Sequence, residues 1–318
     1  MAESRGDDEI FVYMGGDQRV PHGVRRAKIH KSVKIVRKRA FRGLHQLISV
    51  EFHDGVEIIE EQAFYRCPLR GPIILLGVKI IKKEAFSCCY HLTDVEFGDK
   101  LETIEQHAFY KTGLRLANNI TLPSVRTVGE SAFAGCVELY DVEFDKDLRT
   151  IQRQAFHYCR NLKRITLPLK GNMIEDDVFY QCPKLETVDL VVGVHQTIAS
   201  LHLESWRNEM NDEINRINQT LPTTTRGKTH EIRQWMGTVI QRLDHYKAEH
   251  RTLLKEATTL LELALWKANL DGNGGGGLAN EGVRITRGSR KRARKEICVT
   301  SGSDVVIKNV LPFLQLSE

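Results

Sequence analysis

The sequence predicts a solenoid of short parallel strands, with about seven repeats of roughly 22–24 residues, followed by an α-helical hairpin. Three observations carry this. Phe41, Phe64, Phe86, Phe109, Phe133, Phe156 and Phe179 recur at spacings of 23, 22, 23, 24, 23 and 23 residues, and a fixed period of this size marks stacked repeats. Around each Phe the apolar residues keep constant offsets. After Val194 that frame stops, and the apolar period changes from the two of a strand to the 3.6 of a helix.

Each element follows from the frame. Residues 1–9 are polar and acidic and are expected to be disordered. Ile10-Phe11-Val12-Tyr13 reads as a strand covering the open end of the coil, and residues 24–32 as a half repeat. Five residues before each Phe sits an aliphatic, from Val36 to Ile174. Eight before it six of seven are aliphatic, Gly171 being the exception. Three after it Cys67, Cys89, Cys136, Cys159 and Cys182 share one slot, and a Leu follows two or three residues on. Then comes an alternating pair such as Val95/Phe97 or Ile165/Leu167, with the period of a short strand. One repeat cannot bury its own apolar face, so neighbours must stack and every slot becomes a ladder. The solenoid with its cap is placed at 10–194.

Leu203, Trp206, Met210, Ile214, Ile217 and Leu221 then follow helical spacing. A turn over 222–228 leads to a long helix from about 229 to 270. Its seam runs from Ile232 through Met236, Val239, Leu243, Tyr246, His250, Leu253, Ala257 and Leu260 to Ala264, and alternates four and three as in a coiled coil. An antiparallel hairpin over 200–270 is expected, with a self-association or docking seam over 230–264. Residues 271–282 read as a Gly-rich linker. Its formal Gly-x-Gly-x-x-Gly follows a helix rather than a strand and lacks the context of a dinucleotide site. Residues 283–318 form a basic tail with a short apolar segment.

The pattern aliphatic-x-x-Ile-x-x-x-Ala-Phe-x-x-Cys-x-x-Leu-x-x-Ile-x-Leu-Pro, kept in phase over about residues 20–192, resembles the BspA-like class of leucine-rich repeats. The resemblance implies a leucine-rich repeat solenoid, a right-handed arc with one strand per repeat lining one face. It also implies a role in protein recognition or adhesion and no catalytic residues.

Charge and chemistry narrow the function. Lys and Arg total 46 against 41 Asp and Glu, a net +5 that decides nothing alone. No nucleotide-binding, metallopeptidase or hydrolase motif is present, and the stacked Cys of the shared slot lack paired zinc-ligand spacing. No catalytic, cofactor or metal residues are assigned. The polar start and the reduced-looking Cys ladder point to an intracellular protein, cytoplasmic or nuclear, without a membrane segment. Side chains flanking each strand's buried pair should face outward. Glu51, Ile74, Asp94, Glu96, Asp141, Glu143, Arg164 and Asp189 are therefore the candidate partner-binding face. From Gln18 to Val50 there is no Asp or Glu, and Arg25, Arg26, Lys28, Lys31, Lys34, Arg37, Lys38 and Arg39 form a candidate basic patch. Arg290, Lys291, Arg292, Arg294 and Lys295 form a candidate basic tail.

The expected function is a non-enzymatic protein-interaction scaffold using the strand face and the hairpin, with a protein partner. The alternatives are a nucleic-acid-associated protein acting through the basic cap and tail, and a cell-surface adhesin, which the lack of a leader disfavours.

Overall fold

A computed structural model describes residues 9–114, 120–201, 203–222 and 227–272, the last few of these as backbone only. The chain divides into two compact units, Met1–Tyr246 and Lys247–Glu318. Among the described residues, no helix is long and apolar enough to cross a membrane.

The first unit is a parallel coil of seven turns. Each turn carries a longer strand, and the first six also carry a two-residue strand, which the last turn replaces by a single bridge at Ile174. Within each sheet the strands pair in parallel with their counterparts one repeat away. The shorter strands run from Ile35–Val36 to Thr150–Ile151 and form one six-stranded sheet. The longer strands form three sheets: Ile10–Tyr13, Arg26–Ile29 and Ser49–Glu51; then Pro72–Leu75 with Asp94–Phe97; then Ile120–Leu122, Asp141–Phe144, Arg164–Leu167 and Thr187–Leu190. The break before Pro72–Leu75 has a covalent cause. In this register the N–H of residue 72 would meet the Ile48 carbonyl, but proline has none. The Arg70 N–H donates to that carbonyl instead, at 2.8 Å.

The Phe ladder is the spine of the core. All seven rings are fully buried. Successive rings lie 4.9–6.0 Å apart and within 13° of parallel. The separation follows from neighbouring strands being about 4.8 Å apart; identical side chains in identical slots must then stack. Tyr13 extends the column, its ring 5.1 Å from Phe41. Ile10–Tyr13 thus covers the first coil as expected.

The turn around each Phe is held by an unusual backbone. The residues two before and two after Phe all have positive φ, from Arg39 and Gly43 to Asp177 and Gln181. Most are not glycine, at a cost of about 1–2 kcal/mol each. The return is a second hydrogen-bond ladder. In the first coil the N–H groups of Arg39, Phe41 and Gly43 donate to the carbonyls of Glu61, Ala63 and Tyr65 in the next coil, at 2.8–3.0 Å.

The Cys slot has a matching reason. The thiol of Cys67 donates to the Phe41 carbonyl of the preceding coil, and Cys89, Cys136, Cys159 and Cys182 repeat this at 3.0–3.2 Å. These cysteines are buried and free. Burial pushes the Cys67, Cys136 and Cys182 thiols up to about 12 and drives Cys89 and Cys159 well up. At neutral pH they stay protonated, as a hydrogen-bond donor must.

Helix α1, Val192–Ala199, follows the last strand; no apolar pattern announced it. Helix α2 is Glu204–Thr220 and helix α3 is Lys228–Gly272. The Trp206 ring stacks on Tyr246 at 5.2 Å, while the Glu213 carbonyl accepts from the Trp235 indole at 2.9 Å. Early α2 thus meets later α3, and the hairpin is antiparallel. Glu213 is 5% exposed, and its carboxylate is held by Arg216 at 2.8 Å and Arg242 at 3.4 Å.

The hairpin closes the last coil, whose backbone has no further repeat to bond. Thr229 accepts the Phe179 N–H at 3.0 Å, and Asn218 accepts that of Val188 at 2.9 Å. Lys228 donates to the Pro183 and Leu185 carbonyls, and Arg233 to that of Ile174. Side chains of the hairpin stand where an eighth coil's peptide groups would be, which answers the rule that buried backbone groups are paired.

The seam expected over 230–264 divides at Tyr246. Ile232, Met236, Val239, Leu243 and Tyr246 are buried within the first unit, while in the second unit Leu253, Leu260 and Trp266 are exposed.

Candidate functional site

The longer strands place their outward residues in two rows because side chains alternate across a strand. Register puts Lys28 beside Glu51, Ile74 beside Glu96, and Thr121, Glu143, Thr166 and Asp189 in succession. A parallel row carries Asp94, and then Asp141 beside Arg164. All eight residues expected on this face lie on it. Ile73 and Leu75 are buried and Ile74 is 46% exposed. Ile74 is thus an outward apolar residue, and Leu76 beyond it is 37% exposed.

Charge is partly neutralised at the two ends of the face. Glu51 pairs with Lys28 at 3.0 Å, and Asp189 with Arg164 at 2.6 Å. Between them Asp94, Glu96, Asp141 and Glu143 have no ion pair among the described residues, although Thr93 donates to Asp94 at 2.7 Å. Toward α1 the face deepens into a groove of about 560 Å³, lined among others by Glu143, Asp145, Arg164, Asp189, Val192 and His195.

The basic patch is not the unopposed surface its sequence suggests. Lys28, Lys34 and Lys38 reach Glu51, Glu57 and Glu61 at 3.0, 3.9 and 2.7 Å, and Arg39 donates to Gln62 at 2.9 Å. Arg25 and Arg26 also have partners. Lys31 and Arg37 are exposed. The reason is periodic: a segment without carboxylates stacks on the next repeat, which supplies them at the equivalent positions. Hydrogen bonds from Lys79 and Lys38 hold the Glu57 and Glu61 carboxyls below their ordinary range. Such exposed pairs are screened by solvent and add little to stability, so they fix the local field more than the fold. Arg290, Lys291, Arg292, Arg294 and Lys295 lie outside the described residues.

Among the described residues, no group of three or more His, Cys, Asp or Glu side chains is placed to hold a metal ion. The adjacent Cys88-Cys89-Tyr90-His91 supplies no ready nucleophile at Cys89, whose thiol burial keeps protonated. The turns that follow each Phe collect five of the eight tyrosines, and a sixth, Tyr140, directly precedes the strand Asp141–Phe144. That concentration becomes visible only when the repeats are aligned on the Phe.

Several solved structures resemble the chain. A leucine-rich repeat protein of T. pallidum is 25% identical over 50% of this chain and 83% of its own, with a TM-score of 0.41. A leucine-rich repeat protein from Eubacterium ventriosum is 22% identical over 53% and 49%, with a TM-score of 0.40. The pneumococcal vaccine antigen PcpA is 22% identical over 57% and 54%, with a TM-score of 0.40. The chain thus spans about half the length of the last two. No curated protein sequence matches it. Leucine-rich repeat proteins are generally protein-interaction scaffolds and typically non-enzymatic. The family model for the BspA type leucine rich repeat region matches in six copies, over residues 23–118 and 79–205, and the chain belongs to that family.

Proposed function

We propose that the chain is a non-enzymatic protein-interaction scaffold whose strand face grips a cationic segment of a partner protein. The observation that supports this is the set of carboxylates Asp94, Glu96, Asp141 and Glu143, without ion pairs among the described residues, of which Glu96 lies in register with the exposed Ile74. Unneutralised charge steers an oppositely charged chain, and an apolar anchor beside it supplies burial. The hairpin through Tyr246 closes the coil, so in this reading it stiffens the scaffold, and the docking role expected of the hairpin narrows to residues 247–267.

Selection of displayed random peptides on the full chain tests the proposal. Enriched peptides should combine Lys or Arg with an apolar residue. They should bind about tenfold more weakly to the Glu96→Lys/Glu143→Lys chain, as expected for lost charge complementarity. Enriched peptides of neutral or acidic composition, or cationic ones that bind the variant equally well, would sink the reading.

A further inference from the structure

We propose that the edge of the coil formed by the turns after each Phe is a second binding surface, for single-stranded nucleic acid. Tyr65, Tyr90, Tyr110, Tyr158 and Tyr180 lie on these turns, and Tyr140 directly precedes the strand Asp141–Phe144. Tyr90, Tyr140 and Tyr158 are 60%, 47% and 40% exposed, so their rings are open to a partner.

Cations are interleaved with these rings. Arg42 and Arg66 lie over Tyr65, Lys111 over Tyr110, Arg160 over Tyr158 and Lys163 over Tyr140, at 5.1–5.9 Å from the ring centroids. Hydrogen bonding to Tyr110 and Tyr140 raises the pKa of Lys111 and Lys163, so both stay charged. The middle of the edge is hollowed into a concavity of about 710 Å³, lined by Tyr90, Tyr110, Lys111, His157, Tyr158 and Arg160 among others, with Glu138 its single carboxylate among the described residues.

Rings that stack on bases and cations that follow a phosphate backbone are the two components of sequence-tolerant single-strand recognition. The placement of the rings favours a single strand over a duplex. The three exposed tyrosines stand four, seven and two residues after Phe86, Phe133 and Phe156, on the third, fifth and sixth coils rather than in one ladder slot. They therefore suit bases splayed apart and stacked singly on protein, not the ~3.4 Å stack of a duplex. An acidic peptide would engage the cations but would leave unused the exposed Tyr90 ring and the exposed parts of Tyr140 and Tyr158. The surface is also distinct from the basic cap, whose lysines are largely paired, and from the strand face.

Fluorescence anisotropy of the full chain with a labelled homopyrimidine 20-mer tests this. Binding is expected in the micromolar range and should weaken with salt at a log–log slope of about −0.7 per phosphate neutralised. Tyr90→Ala/Tyr158→Ala should weaken it by at least about tenfold, since each base–ring stack is worth about 5–150-fold. Lys111→Glu/Arg160→Glu should do the same, with thermal melting confirming that both variants fold. A chain with Arg290, Lys291, Arg292, Arg294 and Lys295 changed to Ala should retain most of the affinity. The proposal is overturned by no binding at about 100 µM protein, the weak limit of non-specific association. It is equally overturned by wild-type affinity in both edge variants, by tighter binding of a duplex, or by a polyglutamate peptide that displaces the oligonucleotide and binds more tightly.

Discussion

Replacing Thr229 by Val isolates the way the last coil is closed. In the first six coils the Phe N–H donates to the carbonyl of the residue preceding the next Phe, from Phe41 to Ala63 through Phe156 to Val178. Phe179 has no such neighbour, and the Thr229 hydroxyl accepts in its place at 3.0 Å. Phe179 is fully buried and Thr229 is 8% exposed, so water does not readily replace the lost acceptor. Valine keeps the shape and removes the oxygen. Leaving a buried donor unsatisfied costs about 1–3 kcal/mol, and the two residues differ little in helix propensity. Thr238→Val is the matched control: its hydroxyl bonds within the helix, to the Gln234 carbonyl at 3.1 Å, and is exposed. It should change stability by less than about 0.5 kcal/mol. Urea unfolding followed by circular dichroism gives both values, and hydrogen exchange should show the Phe179 amide deprotected only in Thr229→Val. If the two variants unfold at the same urea concentration, the hairpin does not close the coil through this bond.

Three further outcomes follow from the same structure. Phe109→Ala removes a ring stacked between Phe86 and Phe133 and edge-on to Phe97, and should destabilise the chain by about 3–5 kcal/mol in the same unfolding assay; a loss under about 1 kcal/mol would mean that the column is not continuous. With thiols held near 12, about 10⁻⁴ of Cys67, Cys136 or Cys182 is thiolate at about pH 8. Maleimide should therefore leave the five ladder cysteines unmodified in the native chain and label them in denaturant, as read by peptide mass spectrometry; native labelling of Cys136 would contradict this. Burial lowers the pKa of Lys228 below its ordinary 10.5, so the folded state binds this proton less readily than the unfolded one. Relative to Lys228→Met, the wild type should gain stability as pH rises from the lowered value toward about 10.5 and lose it as pH falls back. Unfolding of both chains at about pH 8 and about pH 10 checks the sign.

Much of this was legible in the sequence because a repeat reports its own geometry. The regular return of Phe fixed the stacking, and the alternating pairs fixed which strand residues face out. Ile74 is apolar among polar neighbours, and only the burial of Ile73 and Leu75 shows that it faces outward. Helix α1 left no signal: of its eight residues only Ile198 is buried, so it carries no apolar stripe to read.

What the sequence determined by itself is the coil, because identical residues at a fixed interval can bury their apolar side chains only against one another. What only the tertiary structure decided is how charges and rings meet across coils. Lys28 and Glu51 sit a full repeat apart in the chain yet 3.0 Å from each other, and so cancel. Tyrosines spread from 65 to 180 share one edge with the cations that lie over them. The long helix is likewise divided by what lies beside it, buried through Tyr246 and exposed at Leu260, since a seam shows that a face is apolar but not what covers it.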